Sequence, residues 1–127
     1  MRTGIIFVVG ALAACAGQNT APSQPFGTYL GADTRLLADD LVNFQVKMRG
    51  QFGADALTDY ADCVAAQYSL NRGFTHARLV RTNVYEEGGV QIADAIYTLS
   101  SSKPQGTTII EATSQVATCE DKGIPTV

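Results

Sequence analysis

The chain has 127 residues with 9 basic and 12 acidic side chains, and its formal net charge at pH 7 is −3. This mild acidity argues against the basic surface on which most nucleic-acid binding depends, and the length suffices for one small domain. The apolar run at residues 4–13 is shorter than the roughly 20 residues that a membrane-spanning helix requires. The sequence therefore predicts neither a transmembrane helix nor a nucleic-acid partner.

The N-terminus has the pattern of a secretory signal, with Arg2, an apolar stretch and then small residues. The segment Leu12-Ala13-Ala14-Cys15 resembles the lipobox of bacterial lipoproteins, in which the cysteine is lipidated and becomes the first mature residue. A plain cleaved signal would leave Cys15 without a purpose, and an uncleaved anchor would need a longer apolar segment. We therefore expect a signal peptide over residues 1–14 and lipidation at Cys15.

The resemblance implies a diacylglyceryl group on the Cys15 sulfur and, usually, a further acyl chain on its nitrogen. Each buried methylene contributes about 0.8 kcal/mol, so two or three chains would hold the protein on the membrane permanently. Ala16 follows the cysteine, whereas an aspartate there retains Gram-negative lipoproteins in the inner membrane; the resemblance therefore implies the periplasmic side of the outer membrane. Residues 16–25 are small, polar and proline-bearing, as in a flexible linker. Residues 15–25 are then the lipidated cysteine and the linker, and residues 26–127 are the periplasmic domain.

Two cysteines, Cys63 and Cys119, remain once Cys15 carries lipid. An even pair in an oxidising compartment predicts one disulfide. A zinc site would need two more ligands, of which only His76 offers itself, and a catalytic thiol would need a base placed beside it. We predict the disulfide and no metal or cofactor.

Local patterns predict a first strand and a helix. Apolar and polar residues alternate over residues 42–48, which indicates a strand with one buried face that ends at Gly50. From residue 54 the spacing becomes helical, and Gly73 is expected to end the helix in the left-handed conformation. One stripe of that helix carries the apolar residues Leu57, Tyr60, Ala61, Val64 and Tyr68.

Three further strands are predicted after the helix, at residues 74–85, 90–99 and 107–118, separated by turns at 86–89 and 100–106. The fold class is therefore α+β, a single helix packed on a mostly antiparallel sheet of four to five strands in the order β-α-β-β-β. The connection through the helix is compatible with a parallel crossover. Residues 26–34 are left open as a possible additional edge strand.

Residues 60–74, which run from Tyr60 through an alanine-rich helix to a Gly-Phe exit, resemble a segment of small proteobacterial outer-membrane lipoproteins with no assigned activity. Those proteins usually carry a glutamate after the alanine, where this chain has Ala66 or Gln67. The resemblance implies the same location and an α+β fold, and it implies no catalytic residue.

Candidate catalytic groups are few. His76 is the only histidine and would act as a base only beside Asp62 or Glu111, yet no motif places a serine or cysteine partner. We interpret His76 as a hydrogen-bonded strand residue. Asp55, Asp59 and Asp62 recur at helical spacing, which is typical of a solvated helix face and not of a metal cluster.

Tyr85, Arg78 and Arg81 are the candidate contact residues. Tyr85 lies at a strand end, where an aromatic side chain is readily exposed to a partner. Arg78 and Arg81 would bind an acidic partner or pair with neighbouring glutamates. Because their numbers differ by three, we expect them on opposite faces of the sheet, so a patch that also includes Arg72 is not predicted.

The sequence therefore predicts a membrane-anchored lipoprotein with a binding or envelope-organising role and an envelope protein as its partner. An accessory subunit of a secretion, transport or surface complex is the first alternative, and it would show an exposed apolar patch or an open sheet edge. A small periplasmic enzyme is the second alternative, and it would require a pocket that brings His76 to a carboxylate or hydroxyl.

Overall fold

A computed structural model describes residues 23–24 and 27–127, together with Gly4. The expected signal peptide (apart from Gly4), Cys15 and most of the expected linker lie outside the described residues. The elements in chain order are β1 (Ser23–Gln24), β2 (Gly27–Ala38), β3 (Leu41–Gly50), α1 (Ala54–Asn71), β4 (His76–Glu87), β5 (Val90–Ser100), β6 (Ile109–Glu111) and α2 (Ala112–Lys122). The α+β class is confirmed, with two helices where the sequence predicted one.

One antiparallel sheet contains all six strands in the order β1-β2-β3-β5-β4-β6. Since β3 and β4 are both antiparallel to β5, they run parallel to each other, and α1 is the crossover between them. The turn between β4 and β5 consists of Gly88 and Gly89, whose φ values of 57° and 79° suit the tight hairpin that the sequence predicted. The strand left open at residues 26–34 is β2, which continues to Ala38.

The predicted strand at residues 107–118 is wrong beyond Glu111, because α2 begins at Ala112. The Glu111 carboxylate accepts a hydrogen bond from the Ser114 backbone N–H at 2.8 Å and so caps the helix. Gly123 ends it with φ 68°. Ala112 and Val116 are four residues apart, a spacing that fits one face of a strand and one face of a helix equally well.

The core lies between α1 and the sheet. The alternation that predicted the first strand is confirmed, since Val42, Phe44, Val46 and Met48 are all buried. Most of the predicted helical stripe is buried against them, and Tyr68 packs edge-to-face on Phe44 with ring centroids 5.3 Å apart. Several buried alanines of α1 face the alanines of β5, which lets the helix lie close to the sheet: Ala61, Ala65, Ala66, Ala93 and Ala95.

The predicted disulfide is present between Cys63 in α1 and Cys119 in α2, with Cα atoms 5.9 Å apart. Both cysteines are fully buried. The bond joins residues 56 positions apart, and a loop of this size corresponds to about 4 kcal/mol in the chain-entropy account. The second helix is therefore held to the first by a covalent bond as well as by packing. Among the described residues, no helix combines the length and apolar character needed to cross a membrane.

Candidate interaction surface

The three predicted contact residues lie together on the sheet face opposite the helices, which we call the outer face. In the pairing of β4 with β5, Arg78 is opposite Thr98, Arg81 is opposite Ile96 and Tyr85 is opposite Ile92. All three partners have even numbers. The odd-numbered residues of β5, Ala93, Ala95 and Tyr97, are buried on the helix side, so the even-numbered residues lie on the outer face. All three contact residues are exposed.

The expectation that Arg78 and Arg81 point to opposite faces is wrong because β4 contains a bulge. The pairing register shifts between Leu79 and Arg81, so that Val80 is the additional residue. One extra residue inverts the alternation, and Arg81 returns to the face that carries Arg78. Arg72 remains outside this group, since its guanidinium lies 5.7 Å from the ring centre of Tyr68.

Local contacts hold the outer-face side chains of β4. Gln45 Nε2 on β3 donates a hydrogen bond of 3.0 Å to the Tyr85 hydroxyl, across the intervening strand β5. Ile92 lies between them on that face and is only 4% exposed. The Arg78 guanidinium lies against Gly106, where a Cβ atom would come within 3.1 Å of it. Neither Arg78 nor Arg81 forms a salt bridge with another described residue.

Within the described part of the chain, two long sheet edges are accessible. β1 covers only the start of β2, at Gly27 and Thr28, and β6 covers only His76–Arg78 at the start of β4. Beyond these pairs both edges expose apolar side chains: Leu30, Leu36 and Leu37 on β2, and Val80, Val84 and Tyr85 on β4. Sequence reasoning missed the first set; the available signal was the pair of adjacent leucines, since a strand with one buried face can bury only one of them.

A groove of about 440 Å³ adjoins the β2 edge. Its walls come from β2, α1 and the C-terminal segment, and they include Leu30, Tyr60 and Val127. Tyr29 and Tyr60 form its floor as an edge-to-face pair with ring centroids 4.8 Å apart. Burial raises the pKa of both tyrosines, and for Tyr29 the nearby Asp59 carboxylate adds to this shift.

The outer face carries a smaller polar recess of about 210 Å³. Asp33, Arg35 and Asp94 contribute charges of both signs to it. Asn43 donates a hydrogen bond to the Asp94 carboxylate, and Lys47 lies 3.9 Å from Asp33 in an exposed ion pair. Asp33 is therefore paired with a lysine of the neighbouring strand, and Asp94 is bound by an amide and not by an opposite charge.

His76 and Asp62, which a catalytic site would have combined, lie in different surroundings. His76 Nδ1 is 2.8 Å from the hydroxyl of Thr75, and the residue stands opposite Glu111 in the pairing of β4 with β6. Asp62 instead accepts a hydrogen bond of 2.6 Å from the buried hydroxyl of Tyr97. Among the described residues, no three histidine, cysteine or acidic side chains are grouped so that they could hold a metal ion.

The fold and these surfaces define a two-layer α+β domain with two accessible sheet edges. The chain belongs to the family described as the YNQ4 C-terminal domain, whose model matches residues 29–123. That span runs from the first strand of the core to the glycine that ends α2. The match therefore coincides with the folded unit.

One relative is an uncharacterized 26.9 kDa protein in the nqo8 5′ region of Paracoccus denitrificans. It is 33% identical over 94 residues, which is 74% of this chain and 37% of that protein. The chain thus spans little more than a third of the length of that curated relative. No solved structure matches the chain.

Proposed function

We propose that this protein is a lipoprotein, anchored through Cys15 on the periplasmic side of the outer membrane, which docks an envelope protein without catalysing a reaction. The observation that carries the docking role is the accessible edge of β2, with Leu36 45% and Leu37 46% exposed. An extended segment can add as a further strand to a sheet edge that has unpaired backbone groups and apolar side chains.

The groove beside β2 supports a protein occupant. An extended segment that pairs with β2 would pass the groove lined by Leu30 and Val127, where its apolar side chains can be buried. Leu30 and Leu37 lie where the pairing of β2 with β3 shifts register. Such bulges interrupt a flat edge and restrict which strands can add to it. The edge therefore favours a specific partner over indiscriminate association.

The tether supports membrane localisation of the docking site. Because Ser23–Gln24 pairs with β2, only residues 16–22 separate Cys15 from the sheet, a reach of about 25–30 Å when fully extended. A domain held this close to the bilayer has a high effective concentration for other envelope proteins. An accessory subunit of an envelope complex is a form of the same role, and the exposed edge is the feature expected of it.

The test is photo-crosslinking in the native cell with the full chain. A photoreactive residue at Leu36 should capture one dominant envelope protein in the membrane fraction. The matched control carries it at Ala117, which is exposed on α2 away from β2. Equal capture from both positions, or no reproducible capture while the folded protein is present in the membrane, would contradict the docking role.

A further inference from the structure

The edge of β4 forms a second accessible surface, separate from the proposed docking edge. No other described strand pairs with it from the Val80 bulge to the turn at Gly88, and every residue from 81 to 87 is exposed. Val84 lies on the helix side of the sheet, opposite the buried Ala93, yet it is 47% exposed. The helices therefore leave this end of β4 accessible on both faces.

We propose that a second copy of this chain pairs with this edge, β4 against β4 and antiparallel, about a two-fold axis at Val84. A two-fold contact presents the same surface from both copies, so the edge must be complementary to itself. The pairing would join two sheets into one, with the helices of both copies on the same side. The inference goes beyond the proposed function, since it concerns a different edge and a different partner.

Charge complementarity selects this register. With Val84 opposite its own copy, Arg81 stands opposite Glu87, and the two-fold axis makes this pair twice. Both side chains lie on the outer face, since Arg81 and Glu87 pair with Ile96 and Val90 of β5. Neither forms a salt bridge within the described part of the chain. Opposite charges on directly facing residues stabilise strand pairs, and like charges destabilise them.

The neighbouring registers lack this match. Antiparallel pairing allows shifts only in steps that preserve the alternation of outward-facing backbone groups. One step places Asn83 opposite itself and Arg81 opposite Tyr85. The other step places Tyr85 opposite itself and leaves Arg81 facing the Gly88–Gly89 turn. Of these three registers, only the one centred on Val84 therefore sets opposite charges directly opposite each other.

The β2 edge is the competing site for a second copy, because a pairing centred on Thr34 would set Asp33 opposite Arg35. Asp33, however, already forms an ion pair with Lys47 of its own chain at 3.9 Å. Register shifts at Leu30 and Leu37 also interrupt β2 on both sides of that segment. The longer uninterrupted segment and the unpaired charges both favour β4.

Cysteine crosslinking of the full chain tests the register. Val84→Cys should form an intermolecular disulfide on mild oxidation, because the axis places the two Cβ atoms about 4.5–5.5 Å apart. Asn83→Cys and Tyr85→Cys are the matched controls. In a pair of identical chains each of these cysteines faces a residue other than cysteine, so neither variant should crosslink alone. A mixture of the two variants should crosslink, because residue 83 of one copy stands opposite residue 85 of the other. The parent chain, oxidised in parallel, measures any intermolecular disulfide that forms through Cys15. Crosslinking at Thr34→Cys in preference to Val84→Cys, or equal yields at 83, 84 and 85, would overturn the proposal.

Charge exchange in the Val84→Cys background tests the electrostatic part. Arg81→Glu and Glu87→Arg should each lower the yield by about tenfold, because each sets like charges opposite each other at two places. The double variant Arg81→Glu/Glu87→Arg should restore it. All three positions are exposed, and an unchanged thermal unfolding midpoint would show that folding is intact. Equal yields in all variants would overturn the assigned contact.

Discussion

The Tyr97 hydroxyl on β5 donates a hydrogen bond of 2.6 Å to Asp62 Oδ1 on α1, and thereby joins the central sheet to the helix inside the core. Tyr97 is completely buried. Burial and the neighbouring carboxylate raise the pKa of Tyr97 far above its usual range, so the phenol remains a donor. Burial also raises the pKa of Asp62; the Tyr97 hydrogen bond opposes this shift, and Asp59 adds to it.

Asp62→Asn should make the protein more stable at neutral pH. A carboxyl whose pKa is raised in the folded state stabilises the fold when protonated, and this contribution is lost as pH rises through the folded-state pKa. Asparagine keeps an oxygen that accepts from Tyr97 and carries no charge. Urea unfolding across pH should show that the stability of the parent relative to the variant falls as pH rises. Parallel pH profiles would contradict the assignment.

Tyr97→Phe should destabilise the protein by about 1–3 kcal/mol, because the Asp62 carboxylate loses its donor while it stays partly buried. The pKa of Asp62 should then rise further above its ordinary value, because the Tyr97 hydrogen bond that lowers it is lost. Combining Tyr97→Phe with Asp62→Ala, which removes the acceptor, completes a double-mutant cycle measured by urea unfolding. A coupling energy near zero would mean that the hydrogen bond contributes nothing to stability.

Glu111→Ala should loosen the start of α2. The hydrogen bonds from Ser114 lower the pKa of Glu111, so its capping contribution is present above the unfolded-state pKa and is lost as pH falls through the folded-state pKa. Hydrogen exchange of the amides of α2 measures this loss directly. Glu120→Ala on the same helix is the matched control, and faster exchange in both variants would argue against a specific cap.

Cys63→Ser and Cys119→Ser should each cost about 2–5 kcal/mol of unfolding free energy. The double variant should be no less stable than either single one, since all three lack the same bond. Chemical denaturation without reductant measures the three values, and the reduced parent provides the comparison. Additive losses would contradict a single shared disulfide.

Cys15→Ser should release the protein from the membrane, because the acyl chains would have no site of attachment. Fractionation of cells, with metabolic labelling by a fatty acid, measures both the location and the modification. The folded domain should keep its thermal unfolding midpoint, since the substitution lies outside residues 27–127. Retention of the unlabelled variant in the membrane would contradict the lipid anchor. The docking role of the β2 edge would be unaffected, because crosslinking at Leu36 tests it separately.

The sequence predicted β3 and α1 correctly because each has a strong period and an end signal of its own. It misassigned α2, since residues 112–118 contain too few apolar positions to separate a helix from a strand. The Glu111 cap and the contact with α1 through Cys119 decide that region. A short apolar pattern identifies neither the residue that caps a helix nor the neighbouring helix against which it packs.

The sequence alone determined the class of fold and the disulfide pair, because each depends on residue types and spacing. The location at the outer membrane stays a prediction from the sequence. The tertiary structure decided which residues share a surface. The bulge at Val80 brings Arg78 and Arg81 to one face, and the short reach of β1 and β6 leaves the edges of β2 and β4 accessible. Pairing registers and sheet order arise from contacts between distant segments, and for that reason no local pattern contains them.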